Sequence, residues 1–152
     1  MNYWLMKSEP ETFGIEHLQR APRHTHCWDG VRNYQARNYM RDSMRIGDQA
    51  FFYHSNCNPP GIVGIIEICS ESYPDYTAFD PDSKYYDPKS SPDKSRWFMR
   101  DVKFIKKFSN IISIAELRAN KELHQMVILK PGNRLSITPI TDKEWQMVLK
   151  ML

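Results

Sequence analysis

Gln49-Ala50-Phe51-Phe52-Tyr53-His54-Ser55, Asn56-Cys57-Asn58-Pro59-Pro60-Gly61 and Ile62-Val63-Gly64-Ile65-Ile66-Glu67-Ile68-Cys69-Ser70 follow one another and decide the fold. The outer runs are short, aromatic and β-branched, and the middle one is turn chemistry, so the stretch reads as two strands joined by a tight connection. The nearly unbroken apolar run from Ile62 to Ile68 predicts a central, buried strand. Outward from this pair, Asn2 to Lys7 opens the chain as a short strand. Trp97 to Phe108 gives a fourth, longer one on the alternation of Phe98, Val102 and Phe104, and Leu135 to Ile137 gives a last short one. Helices fit between them. Asn33 to Ser43 carries Tyr34, Ala36, Tyr39 and Met40, while Ser113 with Glu116 and Thr141 with Glu144 form capping boxes that mark two later helix starts. In the last helix Trp145, Val148, Leu149 and Leu152 make an apolar stripe at i, i+3, i+4 and i+7, which is core packing. Strands in mixed order, without regular β-α-β alternation, predict an α+β fold: a small mixed barrel or strongly bent sheet of about five to six strands with peripheral helices.

The chain has 152 residues and 41% hydrophobic content, enough for one core, and no repeat or Gly/Ser linker divides it. A single domain over residues 1–152 is expected. With 21 Lys and Arg against 18 Asp and Glu it is only mildly basic, a weak pointer to a polyanion. No apolar run approaches the roughly 18 residues that span a bilayer, and the N-terminus has no signal-peptide pattern, so no membrane partner and a cytoplasmic location are expected. Cys27, Cys57 and Cys69 show no CxxC spacing and read as reduced thiols. Prolines 74, 81, 88 and 92 punctuate a long loop of the kind that is often functional.

Catalytic templates are missing: there is no GxGxxG, GxxxxGK[ST], GxSxG or HExxH. His24-Thr25-His26-Cys27 holds zinc-type ligands, but adjacent His26 and Cys27 do not easily address one ion, so no metal and no cofactor are expected. Polar and aromatic residues instead gather at element ends, where a rigid scaffold presents recognition groups. These are Lys7-Ser8-Glu9-Pro10, Trp28-Asp29-Gly30-Val31-Arg32-Asn33, Tyr53-His54-Ser55-Asn56 and Arg96-Trp97. Singly they have ordinary explanations: a cap at Asn33 or Ser8, a turn at Gly30, a Glu9–Arg32 pair, a core Trp. Together they hold aromatic plates, amides, hydroxyls and Arg, the means of gripping a planar base that has left its stack.

Those segments, with Tyr3-Trp4-Leu5-Met6 before them and Gly47-Asp48, Gly61-Ile62-Val63-Gly64, Tyr73-Pro74-Asp75 and Leu135-Ser136-Ile137 in order along the chain, resemble an EVE domain. The resemblance covers nearly the whole chain. It implies a PUA-like fold related to YTH domains and a pocket for modified bases, chiefly modified cytosines in DNA rather than RNA. The family's nuclear form has a basic N-terminal extension that is missing here, which points to the compact bacterial form, expected to be a monomer. Carried over, the resemblance places Lys7, Ser8, Glu9, Pro10, Trp28, Gly30, Val31, Arg32, Asn33, Tyr53, His54, Ser55, Asn56, Trp97 and Ser136 around the pocket. Side-chain chemistry then casts Trp28 and Trp97 as stacking faces, Ser55 and Asn56 as partners of the base edge, and Arg32 and Lys7 as phosphate or carbonyl contacts. The alternatives are an RNA-binding module of the same fold and an enzyme acting on a nucleoside through His54 or Glu9; the enzyme lacks an evident nucleophile, metal or cofactor.

Overall fold

The computed structural model describes residues 1–152. In chain order its elements are β1 (Tyr3–Ser8), α1 (Pro10–Phe13), α2 (Ile15–Arg20), β2 (Thr25–Cys27), α3 (Tyr34–Asn38), β3 (Gln49–His54), β4 (Gly61–Ile68), β5 (Tyr73–Pro74), β6 (Phe98–Met99), β7 (Asp101–Ser113), α4 (Ile114–Ala119), β8 (Ile137–Ile140) and α5 (Asp142–Leu149). Six strands form one mixed sheet in the order β2-β7-β4-β3-β1-β8, and β5 and β6 form a separate pair. The class is α+β, as the sequence predicts. β1 runs parallel to β3, and every other neighbouring pair is antiparallel.

The β3–β4 pair lies at the centre because it is apolar on both faces. Successive side chains of a strand point to opposite sides. Ala50 and Phe52 accordingly join Trp4 and Met6 in one core, while Phe51 and Tyr53 join Leu5 in a second core on the other side. The second core is closed by α5, whose Trp145 stacks on Phe51 at 4.0 Å between ring centroids and on Tyr3 at 4.3 Å. The Thr141–Glu144 capping box forms as expected, and the Ser113 hydroxyl accepts from the Glu116 N–H to start α4.

The structure departs from the expected elements in four places. The strand foreseen from Trp97 to Phe108 is interrupted at Arg100: Phe98–Met99 pairs with Tyr73–Pro74, and the long strand starts at Asp101 and runs on to Ser113. Arg100 is almost fully buried, and its guanidinium donates to the carbonyls of Met40 at 2.5 Å, Met44 at 2.8 Å and Ser70 at 3.0 Å. A buried cation needs such acceptors, and the carbonyls ending a helix need donors. The helix foreseen from Asn33 to Ser43 is α3 followed by a π-helical turn, Tyr39–Ser43, whose end Arg100 satisfies. β2, too short and polar to show in the sequence, pairs with β7. The last strand lies at Ile137–Ile140, starting later than foreseen. No helix is long and apolar enough to cross a membrane.

Candidate nucleic-acid interface

Parallel pairing of β1 with β3 brings their C-terminal ends to one edge of the sheet, and antiparallel β8 brings its N-terminal end to the same edge. The Ser55 N–H donates to the Ser8 carbonyl at 3.0 Å, and the Lys7 N–H to the Ser136 carbonyl at 2.8 Å. Three segments far apart in sequence are thereby locked side by side. The segment after β2 is anchored above them, with the Trp28 N–H on the Arg100 carbonyl at 2.8 Å and the Gly30 N–H on a carboxylate oxygen of Asp75 at 2.8 Å.

Between these segments lies a cavity of about 890 Å³, within the size range of small-ligand sites. Of the residues singled out in the sequence, Lys7, Ser8, Glu9, Trp28, Gly30, Val31, Ser55, Asn56 and Ser136 line it. Thr12, Phe13, Cys27, Asp29, Lys84, Tyr85 and Arg134 line it as well. Its inner wall is aromatic: the Trp28 indole packs edge-on against Phe52 at 5.2 Å and Phe13 at 5.8 Å. Trp28 is thus both a core ring and a cavity wall.

A further aromatic of the lining, Tyr85, comes from the proline-rich loop. Gly30 makes room for it. Gly30 has φ +78°, and a Cβ built there would lie 2.6 Å from Tyr85 Cζ. Arg32 fixes the loop from behind. Its guanidinium donates to the Tyr85 carbonyl from Nε at 3.1 Å and from Nη2 at 2.9 Å, pairs with the fully buried Asp75 at 3.0 Å, and reaches the Thr77 hydroxyl at 3.1 Å. All the Arg32 hydrogen bonds are thus internal ones. The pair with Glu9 does not form; Glu9 instead accepts a long hydrogen bond of 3.4 Å from Asn56.

The remaining sequence candidates lie outside the cavity lining. Trp97 is buried behind Arg32, donates from Nε1 to Asp87 at 2.7 Å and stacks on Tyr34 at 4.8 Å. Asn33 caps α3, accepting from the N–H groups of Gln35 and Ala36, and Pro10 is the first residue of α1. Tyr53 points into the second core, because its neighbour Phe52 points into the first. His54 Nε2 accepts from the Ile15 N–H at 3.1 Å at the start of α2, and burial lowers its pKa.

The lining carries both charges. The Lys7 ammonium is half-buried, with no carboxylate within ion-pair distance, and desolvation lowers its pKa. Desolvation raises the Asp29 carboxyl, with nearby Asp75 adding to the effect, and pushes the Cys27 thiol up to about 11. A thiol so held is not a nucleophile at neutral pH. Lys84 and Arg134 add two cations from separate loops. The arrangement suits stacking on a flat ligand, hydrogen bonding at its edge and neutralising an attached phosphate.

Among the residues the sequence missed, Asp29 lies inside a stretch already singled out, and Lys84 and Tyr85 lie in the loop expected to be functional. Arg134 adjoins Leu135-Ser136-Ile137. Thr12 and Phe13 left no signal, since α1 is only one turn long.

The chain matches the EVE domain family over residues 2–151. It is 44% identical over 166 residues to human thymocyte nuclear protein 1, which covers 99% of this chain and 73% of that protein. Among solved structures, a protein from Pseudomonas syringae is similar with a TM-score of 0.94 and 46% identity, covering 98% of both chains. The crystal structure of human THYN1 protein in complex with 5-methylcytosine-containing DNA is similar with a TM-score of 0.93 and 43% identity, covering 99% of this chain and 97% of the other.

Proposed function

From the premise that this chain belongs to the EVE domain family and has its PUA-like α+β fold, we propose that it is a DNA-binding module that takes one modified cytosine, flipped out of the duplex, into the cavity between Trp28 and Tyr85. The observation that carries this reading is the cavity itself, an aromatic chamber at the common edge of β1, β3 and β8 with unpaired charges in its lining and cations from two loops. The human relative's complex with 5-methylcytosine DNA supports the choice of ligand. Trp28 and Tyr85 flank the ring. Ser8, Ser55, Asn56 and Ser136 meet its edge, while Lys84 and Arg134 contact the flanking phosphates. Arg32 and Trp97 act indirectly, by holding the Tyr85 loop. The chain acts as one domain, and the work it does is binding: His54, the strongest candidate base, already spends its lone pair on the Ile15 N–H. Cys27, Cys57 and Cys69 carry free thiols, the state a reducing compartment maintains, which fits a cytoplasmic location.

Fluorescence anisotropy with matched oligonucleotides differing at one cytosine tests the proposal. A duplex with 5-methylcytosine should bind more tightly than the unmodified one, and mismatching the modified base should tighten binding further, because extrusion from a paired stack costs a few kcal/mol. Equal affinity throughout would refute it.

A further inference from the structure

A pocket that reads a methylated cytosine faces a competitor that methyl contacts cannot reject. Thymine has the same ring and the same methyl group and is abundant in any DNA. The two differ at position 4, where cytosine has an amino donor and thymine a carbonyl acceptor, and at N3, an acceptor in cytosine and a donor in thymine. Selection between them needs a protein acceptor at position 4 or a protein donor at N3.

The cavity lining holds two carboxylates: Glu9 accepts a 3.4 Å hydrogen bond from Asn56, and the fold leaves Asp29 unused. Asp29 borders the cavity, half-buried, and takes no hydrogen bond or ion pair from any other residue. Nearby Asp75 shows the contrast: it is fully buried and receives the Gly30 N–H, the Arg32 guanidinium and the Thr77 N–H and hydroxyl. Gly30, Arg32 and Thr77 thus direct donors to Asp75 and none to Asp29. Lys7 borders the same cavity, also without an ionic partner, and its ammonium and the Asp29 carboxylate do not pair with each other. Opposite charges in one partly desolvated space that stay apart leave room for a ligand with a donor at one end and an acceptor at the other. The Watson–Crick edge of cytosine is such a ligand, with its amino group at one end and the O2 carbonyl at the other.

We infer that Asp29 is the specificity-determining residue of the cavity, accepting from the exocyclic amino group of cytosine while Lys7 donates to O2, so that 5-methylcytosine is admitted and thymine is turned away. This inference rests on the modified-cytosine reading above. Against thymine the same carboxylate meets a carbonyl oxygen, two acceptors with no proton between them, which repels rather than merely failing to attract.

The test measures binding of the full chain to single-stranded oligonucleotides identical except for 5-methylcytosine, cytosine or thymine at one position, which removes the cost of breaking a base pair. Wild-type protein should prefer 5-methylcytosine to thymine by about tenfold or more, within the range of one good base-edge contact. Asp29→Asn is nearly isosteric, and its amide can turn its amino group towards O4 of thymine, so the preference should collapse or invert. Asp29→Ala should lose affinity for 5-methylcytosine and, with the repulsion removed but no donor supplied, gain less affinity for thymine than Asp29→Asn does. Circular dichroism melts of both variants confirm folding, which a half-exposed position should tolerate. An undiminished thymine discrimination in Asp29→Asn overturns the assignment of Asp29 while leaving the reader function standing. A wild-type chain that fails to separate 5-methylcytosine from cytosine overturns the function and the inference together.

Discussion

Gly30→Ala isolates the contact that shapes the cavity. Two costs arise at once. An L-residue at φ +78° lies in the left-handed region, a penalty of roughly 1–2 kcal/mol. The new Cβ would also lie 2.6, 2.7 and 2.9 Å from three atoms of the Tyr85 ring. Carbon atoms settle at about 3.5–4.0 Å, so the ring must retreat by about an ångström or swing to another rotamer. It cannot take its backbone along, because two Arg32 donors hold the Tyr85 carbonyl. For a chain of this size the strain should lower the melting temperature by about 2–8 °C. Losing the Tyr85 wall should weaken binding of a 5-methylcytosine oligonucleotide by about fivefold to a hundredfold, the worth of one stacked base. Tyr85→Ala should show a similar loss. The double variant should bind like Tyr85→Ala alone, since a Cβ at position 30 then meets no ring. Anisotropy titrations of the four proteins make the cycle. Wild-type affinity in Gly30→Ala with a lowered melting temperature, or losses that add in full in the double variant, would refute Tyr85 as a wall of the site.

Trp28 serves the core as well as the cavity, so Trp28→Ala should cost about 3–5 kcal/mol and show mainly as lost stability in chemical denaturation, whereas Trp28→Phe should remain folded and lose affinity. Lys84→Ala with Arg134→Ala should make the slope of log K against log salt shallower by about 2, at about 0.9 per phosphate contact, while leaving the preference for the modified base unchanged. His54 gives a pH signature in stability: burial depresses its folded pKa below the ordinary 6.5, and its neutral ring accepts from the Ile15 N–H. The contribution is complete above the unfolded value and is lost as pH falls through the lower folded one. Thermal melts at pH 7.5 and about 5.5 should therefore differ more for wild type than for His54→Gln, which keeps an acceptor but does not titrate.

By itself the sequence determined the α+β class, the buried central pair β3 and β4, both capped later helices and the segments that meet at the site. Each of these rests on near-neighbour physics: period-two burial, turn chemistry, and caps made within four residues. It could not say which member of a segment faces the cavity. Tyr53 and His54 share a strand end with Ser55 and Asn56, yet alternation sends Tyr53 into the second core and a helix N-terminus engages His54. Nor did it separate the two tryptophans. Trp28 and Tyr85 border the cavity, while Trp97 lies behind Arg32, outside the lining. These outcomes depend on the Arg32–Asp75 pair across 43 residues, on the buried Arg100 that breaks a strand, and on the space a single glycine leaves beside a ring. Only the tertiary structure decides them, because a side chain's role at a site is set by what its donors and faces meet through space.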